Sequence, residues 1–376
     1  MGIAARLAGV KIDYETEAVG YADLDQPAVL LASGELREAD VIIVCDGINS
    51  TSRCLLNDNK ERRRSGQSIH RAVMDSDPIA WDPICSHLLD GNIRTWLGKD
   101  EYVSIFPMDN GRQIAFTYTH RDSDSSSTMS WRSSVNISDI LHRLSAWDPT
   151  LQRAISKFPR ALHWTIVEGE VAEKWISKGG KIALAGDAVH PLIPASMLGA
   201  TMAIEDAETI AQCLSLSGGS PEGVALALQA YEKLRKPRVD QAARLGRKQA
   251  TIYETFTSRN ATASQSRSSS LTTTSSAEEQ PSSTSSAFSA DPLLLKPLAF
   301  SLYSFDATAY AQDNWEAVVR QLDPTVEWDQ AAEVDPLDAD DAEGLQQRAW
   351  MKGRTDRRAR RGSLAFTTES FAVVSE

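Results

Sequence analysis

The sequence predicts an α/β fold with an inserted antiparallel β-sheet domain, followed by a disordered linker and tail. Two short, strongly apolar, β-branched or alanine-rich runs, VIIVC and KIALA, each end in an Asp/Gly pair, as buried strands of an α/β sheet do. Between them lies a hundred-odd residues of different character, rich in Trp and centred on an Asn110-Gly111 hairpin signal. Beyond them, residues 257–290 are a Ser/Thr-rich stretch that cannot bury enough apolar surface to offset chain entropy.

Taken in order, residues 2–10 are small and apolar and read as the end of a helix. KIDYETEAV alternates like a strand, and ASGELREADVIIVCDGINS reads as a turn leading into a buried strand that stops at Asp46-Gly47. Residues 1–65 form the first part of the α/β domain. Residues 66–165, with Trp81, Trp96, Trp131, Trp147 and Trp164 and the hairpin VSIFPMDNGRQIAFTYT, form the inserted sheet. Residues 166–256 return to the α/β domain: KIALAGD is a buried strand, and helices follow over 199–214 and about 222–255. The linker spans 257–290 and a C-terminal helical segment 291–326. The tail 327–376 is acidic, then basic, with room for a short helix around 341–352. Its Arg360-Arg361-Gly362-Ser363 reads as solvated charge rather than a kinase site.

The 376 residues carry 39 basic and 51 acidic side chains, a net charge of −12, which repels phosphate backbones and argues against a nucleic-acid partner. No apolar run approaches the 18–20 or so residues needed to span a bilayer, and the N-terminus lacks a secretory core, so no membrane partner is expected and a soluble, cytoplasmic protein is. Cys45, Cys54, Cys85 and Cys213 show no metal or redox spacing and read as buried free thiols. No metal is expected, and the oligomeric state is open.

GDAVHPLIPASMLGATMAIEDA carries the chemistry. A strand ending in Gly186-Asp187 sets a carboxylate at the carboxyl edge of a sheet, where open α/β folds bind ligands. Pro191 and Pro194 stiffen the following loop. Gly199 opens a helix whose first turn offers unpaired N–H groups and part of a positive charge to an anionic ligand edge. Ala203, Ala207, Ile210, Ala211 and Leu214 form the expected packing stripe, with Glu205, Asp206 and Glu208 placed to favour the helix dipole. His190 reads as structural.

The same stretch resembles the second flavin motif of the FAD-dependent aromatic hydroxylases, the salicylate and para-hydroxybenzoate hydroxylase group. ADVIIVCDGINSTSR is similar to that family's Asp-Gly motif, and YEKLRKPRVDQAARLGR and LYSFDATAYAQDNW to its later helices. GQSIHRAV and WLGKDEYVSIFPMDNGR look like its substrate-domain sheet. The resemblance covers roughly 1–256 and 295–322, making 1–65 and 166–256 the FAD-binding domain and 66–165 the substrate-binding domain. It implies that Asp187, following Gly186, binds the ribityl chain and that Pro194 lies over the flavin. Amides of Gly199, Ala200 and Thr201 would meet the pyrimidine edge, and Asp46 and Gly47 would approach the pyrophosphate. Arg53 would assist the reducing nucleotide, and Arg71 would hold a phenolate.

Two positions depart from the pattern: Phe106-Pro107 stands where the family has Tyr-Pro, leaving Tyr102 as the substitute, and Leu198 stands where Gln is usual. The implied cofactors are FAD, with NADH or NADPH as co-substrate. The implied reaction moves one oxygen atom of O₂ onto a phenolic or polyketide-like aromatic small molecule. Members of the family begin with a G-x-G-x-x-G unit; this chain has no two glycines spaced i, i+2, so the resemblance lacks that N-terminal unit, roughly a hundred residues. Two other readings stay open: a truncated, catalytically impaired flavoprotein remnant that binds a partner, and a flavin epoxidase or oxidase.

Overall fold

In the computed structural model, residues 2–58, 63–98, 100–122, 133–268 and 304–324 are described. They form two compact units, one from residues 2–58, 169–246 and 304–324, the other from 63–168 with 247–268.

The first unit opens with α1 (Gly2–Leu7), then a three-stranded antiparallel meander of β1 (Ala18–Ala22), β2 (Ala28–Leu31) and β3 (Leu36–Glu38). The alternation in KIDYETEAV predicts a strand over 11–19, but the strand begins at Ala18. Glu15 adopts φ 55°, which breaks an extended run, and Thr16 Oγ1 donates to the Tyr14 carbonyl across that turn. β4 (Ile42–Val44) pairs in parallel with β11 (Ile182–Leu184), register Ile42 to Ile182 and Val44 to Leu184. These are the centres of the two apolar runs. Both strands pack into a core with Trp175, Leu228 and Tyr231, and Tyr231 Oη donates to the Leu184 carbonyl at 3.1 Å.

Two helices complete the core of this unit: α5 (Gly199–Leu216) and the part up to Gly246 of the long α6 (Val224–Ser268), which carries Pro237 in its interior. α7 (Ala307–Leu322) packs against α5 and is capped by Asp306, whose side chain accepts from Ala309 N. α6 runs past the expected end near 255 and through the first residues of the expected linker. Once a helix is nucleated, each added residue costs little, even where Ser and Thr lower the propensity. Residues 269–303 and 325–376, which include the rest of the linker and the acidic and basic tail, lie outside the described residues, as does Trp131.

The second unit is a six-stranded antiparallel sheet, among the described residues, in the order β6-β7-β8-β5-β10-β9. Its strands are β5 (Arg63–Asp75), β6 (Arg94–Gly98), β7 (Glu101–Met108), β8 (Gln113–Arg121), β9 (Ser133–Val135) and β10 (Ala161–Glu168). The β7–β8 hairpin turns at Asn110 (φ 54°) and Gly111 (φ 82°), the left-handed positions that the Asn-Gly signal predicts. Short helices α2 (Asp77–Ala80), α3 (Ile137–Arg143) and α4 (Pro149–Ile155) cover one face. Asp148 caps α4 by accepting from Thr150 N and Leu151 N, with Pro149 at the first helical position. Ile105, Phe116, Tyr118, Ile140 and Leu151 fill the core between.

The four cysteines are all free, but only Cys85 and Cys213 are buried. Cys45 leaves the carboxyl end of β4 towards an open cavity, and Cys54 is exposed on the otherwise largely buried turn over Ser52–Leu56, so local apolarity misjudged both. No described helix is long and apolar enough to cross a membrane.

Candidate cofactor site

The carboxyl ends of β4 and β11 open onto a cavity of about 360 Å³ in the first unit. From β4 it is lined by Ile43, Cys45 and Gly47; from the turn after β11 by Ala185, Gly186 and Asp187; from α5 by Gly199, Ala200, Ala203, Ala207 and Ile210. Such a crevice beyond parallel strand ends is where α/β folds take ligands.

Gly186 has φ 60°, and a Cβ there would come within 3.2 Å of Ala203 Cβ. Only glycine lets the chain turn this close to α5. The turn carries Asp187 to the helix start: a Cβ on Gly199 would stand 3.8 Å from Asp187 Oδ1. The Asp187 carboxylate makes no hydrogen bond among the described residues, and burial raises its pKa above the ordinary aspartate value. It is an exposed acceptor at the cavity mouth beside an open helix N-terminus.

The turn is anchored from behind. Asp206 Oδ2 accepts from Gly186 N at 2.9 Å and from His190 Nε2 at 2.5 Å, and Asp206 Oδ1 accepts from Arg235 Nε at 2.9 Å. Arg235 also donates to Glu205 Oε2 at 2.6 Å, and Arg238 grips both Glu205 oxygens at 2.6 Å each. All five side chains are buried. Burial pushes the Asp206 carboxyl up, and the His190 hydrogen bond with the neighbouring charges outweighs it, leaving the pKa below the ordinary value.

This corrects the expected packing stripe. The buried face of α5 is Met202, Glu205, Asp206, Thr209, Ile210 and Cys213, whereas Ala207 and Ala211 are exposed. A paired carboxylate enters a core that a lone one cannot. Glu205 and Asp206 therefore act through arginines rather than through the helix dipole. His190, fully buried beside Trp175, belongs to the same structural network.

Of the expected site residues, Gly47, Gly186, Asp187, Gly199 and Ala200 line the cavity together. Thr201 lies in the first turn of α5 without lining it, and Pro194 is exposed on the loop turn Pro194–Ser196. Asp46 holds the segment after β4, accepting from Ser52 Oγ at 2.7 Å, while its Oδ1 is buried without a partner. Arg53 is buried: its Nη2 donates to the Glu170 carbonyl at 2.7 Å and the Val189 carbonyl at 3.3 Å, and pairs with Asp58 at 3.3 Å. Leu198, at the position of the family's Gln, is buried at the helix start. Arg71 belongs to the other unit. It is exposed on the sheet face opposite the core, and strand register puts Tyr102 and Phe106 on the same face.

A family profile described as "FAD binding domain" matches residues 2–245, well over half of the chain. The chain belongs to that family. Among curated relatives of this FAD-binding-domain chain, the FAD-dependent monooxygenase dmxR9 of Cryptosporiopsis sp. (strain 8999) is 31% identical over 63% of the chain and 48% of its own length. The asperlicin C monooxygenase of Petromyces alliaceus is 29% identical over 62% and 52%. The chain spans about half the length of the curated relatives it matches. Among solved structures, FqzB is 26% identical with a TM-score of 0.62, covering 87% of this chain and 70% of its own. A salicylate hydroxylase substrate complex shares the fold at 21% identity and a TM-score of 0.62, over 83% and 73%.

The expected aromatic-hydroxylase-like FAD fold is therefore the observed one. The donor set also fits a flavin: a helix N-terminus with bare Gly-Ala backbone, a carboxylate with no hydrogen bond among the described residues, and glycines at both strand ends.

Proposed function

We infer that this chain holds the flavin-ring side of the FAD site of an FAD-dependent monooxygenase that uses NADH or NADPH and O₂ on a phenolic or polyketide-like aromatic small molecule. One observation carries the reading: the unpartnered Asp187 carboxylate stands against the open N-terminus of α5, in the crevice beyond two parallel strands. The naming of the curated relatives as FAD-dependent monooxygenases supports the reaction class. When bound, FAD supplies the redox chemistry.

The chain's own residues bind and orient. Asp187 accepts from ribityl hydroxyls, and the amides of Gly199, Ala200 and Thr201 face the pyrimidine edge of the ring, where negative charge gathers on reduction. Pro194 walls the ring. Gly47 and Asp46, with its buried unpartnered Oδ1, face the phosphate side. Arg53 serves the site by fixing the Val189 carbonyl next to His190, since its Nη2 is already committed to the Glu170 and Val189 carbonyls. In the other unit, Arg71 offers a charge to a phenolate from an exposed sheet face shared with Tyr102. A reducing compartment such as the cytoplasm suits four free thiols.

Titration of the purified chain with FAD tests this, followed by NAD(P)H oxidation with and without candidate phenols. Bound yellow flavin and substrate-stimulated oxidation are expected. A chain that stays colourless in excess FAD overturns the reading, and product free of label from ¹⁸O₂ makes the enzyme an oxidase instead.

A further inference from the structure

We propose that His70, His120 and His163 form a binding site for a first-row divalent metal ion of the zinc type, built into the sheet of the second unit. The site arises from strand register. His163 on β10 pairs directly with His70 on β5, and His120 on β8 pairs with Ser68, two residues from His70. Alternation along a strand then puts all three imidazoles on one face, the face covered by helices. One ring nitrogen from each lies within 4.8 Å of the other two, and His120 Nε2 and His70 Nε2 are 2.8 Å apart. Imidazole nitrogens bound tetrahedrally at 2.0–2.1 Å from zinc stand about 3.3 Å from one another, inside that range. No other group of three such side chains converges this way among the described residues.

His120 Nδ1 lies 2.9 Å from the Arg121 carbonyl, the shorter of its two contacts, the other being Arg143 Nη1 at 3.3 Å. With the proton on Nδ1, donated to that carbonyl, Nε2 presents its lone pair to the cluster, the arrangement by which an outer hydrogen bond orients a metal-bound histidine.

The hydrogen bonds within the cluster leave it incomplete. Among the described residues, His70 Nδ1, His163 Nδ1 and Ser68 Oγ are buried without hydrogen-bond partners. Charges of both signs face the site. Asp122 favours a cation near His120 and His163, whereas Arg143, 3.3 Å from His120 Nδ1, opposes one. Three nitrogen ligands suit zinc, cobalt or nickel rather than magnesium or calcium, and solvent supplies the fourth position. An ion there would tie β5, β8 and β10 together one residue from Arg71.

The test uses the full chain carrying a histidine-free affinity tag, stripped by chelator and titrated with Co²⁺ alone, then with competing Zn²⁺. Visible absorption and equilibrium dialysis with metal analysis give the readout. A single equivalent is expected, with the intense bands of low-coordinate Co²⁺, displaced by Zn²⁺. His163→Gln, at the least buried of the three, and His120→Gln weaken binding by more than about tenfold. His87→Gln, at an exposed histidine outside the cluster, leaves it unchanged, and Arg143→Gln tightens it by removing an opposing charge. Wild-type chain that takes up no stoichiometric Co²⁺ overturns the proposal whatever the variants do. So does a folded His163→Gln chain, checked by circular dichroism, that keeps wild-type affinity.

Discussion

Asp206 accepts the backbone N–H of Gly186 at 2.9 Å, across twenty residues of chain. The bond ties the middle of α5 to the turn that presents Asp187, while the helix start forms the other wall of the same cavity. Both walls are therefore positioned by one carboxylate. Asp206 also satisfies His190 and Arg235, so its removal strands a buried guanidinium. Asp206→Ala is expected to cost about 3–5 kcal/mol of stability, read by urea unfolding. A loss below about 1 kcal/mol, the range of an exposed ion pair, would show that the network carries no load.

The pH dependence follows from the lowered Asp206 pKa. Below its ordinary value the unfolded carboxylate takes up a proton while the folded one still resists. The stability it contributes is complete above about pH 3.9 and is lost as pH falls towards the lowered folded value. Asp206→Asn is expected to flatten that part of the acid limb of a stability–pH curve. An unchanged acid limb would place the acid sensitivity elsewhere.

Arg238 holds Glu205 with two donors at 2.6 Å, and its guanidinium carbon lies 3.8 Å from the centre of the Phe305 ring. Lysine keeps the charge but loses both the planar fork and the stacking face. Arg238→Lys should therefore destabilise by about 1.5–3 kcal/mol, measured as a lowered urea midpoint with an unchanged slope. Wild-type stability in this variant would mean that charge alone is needed.

How much of this was legible depends on whether the signal is local. Asp46-Gly47 and Gly186-Asp187 read correctly because a strand, its stop and its carboxylate fall within a few consecutive residues. The Asn110-Gly111 hairpin read correctly for the same reason. The buried face of α5 did not. An apolar stripe drawn through Ala203, Ala207 and Ala211 looks like a core, while the actual core face contains two acids. Their partners, Arg235 and Arg238, stand 29–33 residues away on another helix. The histidine triad was hidden likewise: His70 and His120 are fifty residues apart, and only the β5–β8 register brings them together.

Gly186 is the tightest backbone constraint at the cavity. Its φ of 60° and a Cβ only 3.2 Å from Ala203 Cβ penalise any side chain twice over. Gly186→Ala should cost about 1–2 kcal/mol from the left-handed backbone alone, with the contact added. Adding Ala203→Gly relieves the contact but not the dihedral, so the double variant stays less stable than wild type in thermal melts. Full recovery would show that crowding, not backbone conformation, fixes this glycine.

Asp187 connects the geometry to the cofactor. Its carboxylate is exposed at the cavity mouth and makes no hydrogen bond among the described residues, so a bound hydroxyl meets a charged acceptor that no described side chain already holds. Asp187→Ala is expected to weaken FAD binding by about one to two orders of magnitude, the worth of one hydrogen bond to a charged group. Burial raises the Asp187 pKa, so the acceptor is lost by protonation at a higher pH than for an exposed aspartate. FAD affinity, followed by quenching of flavin fluorescence, should therefore begin to fall while ordinary aspartates are still ionised. Asp187→Asn should remove that dependence and hold one weak affinity throughout. Equal affinities for wild type and Asp187→Ala would take Asp187 out of the site and leave the amides of α5 to hold the ring.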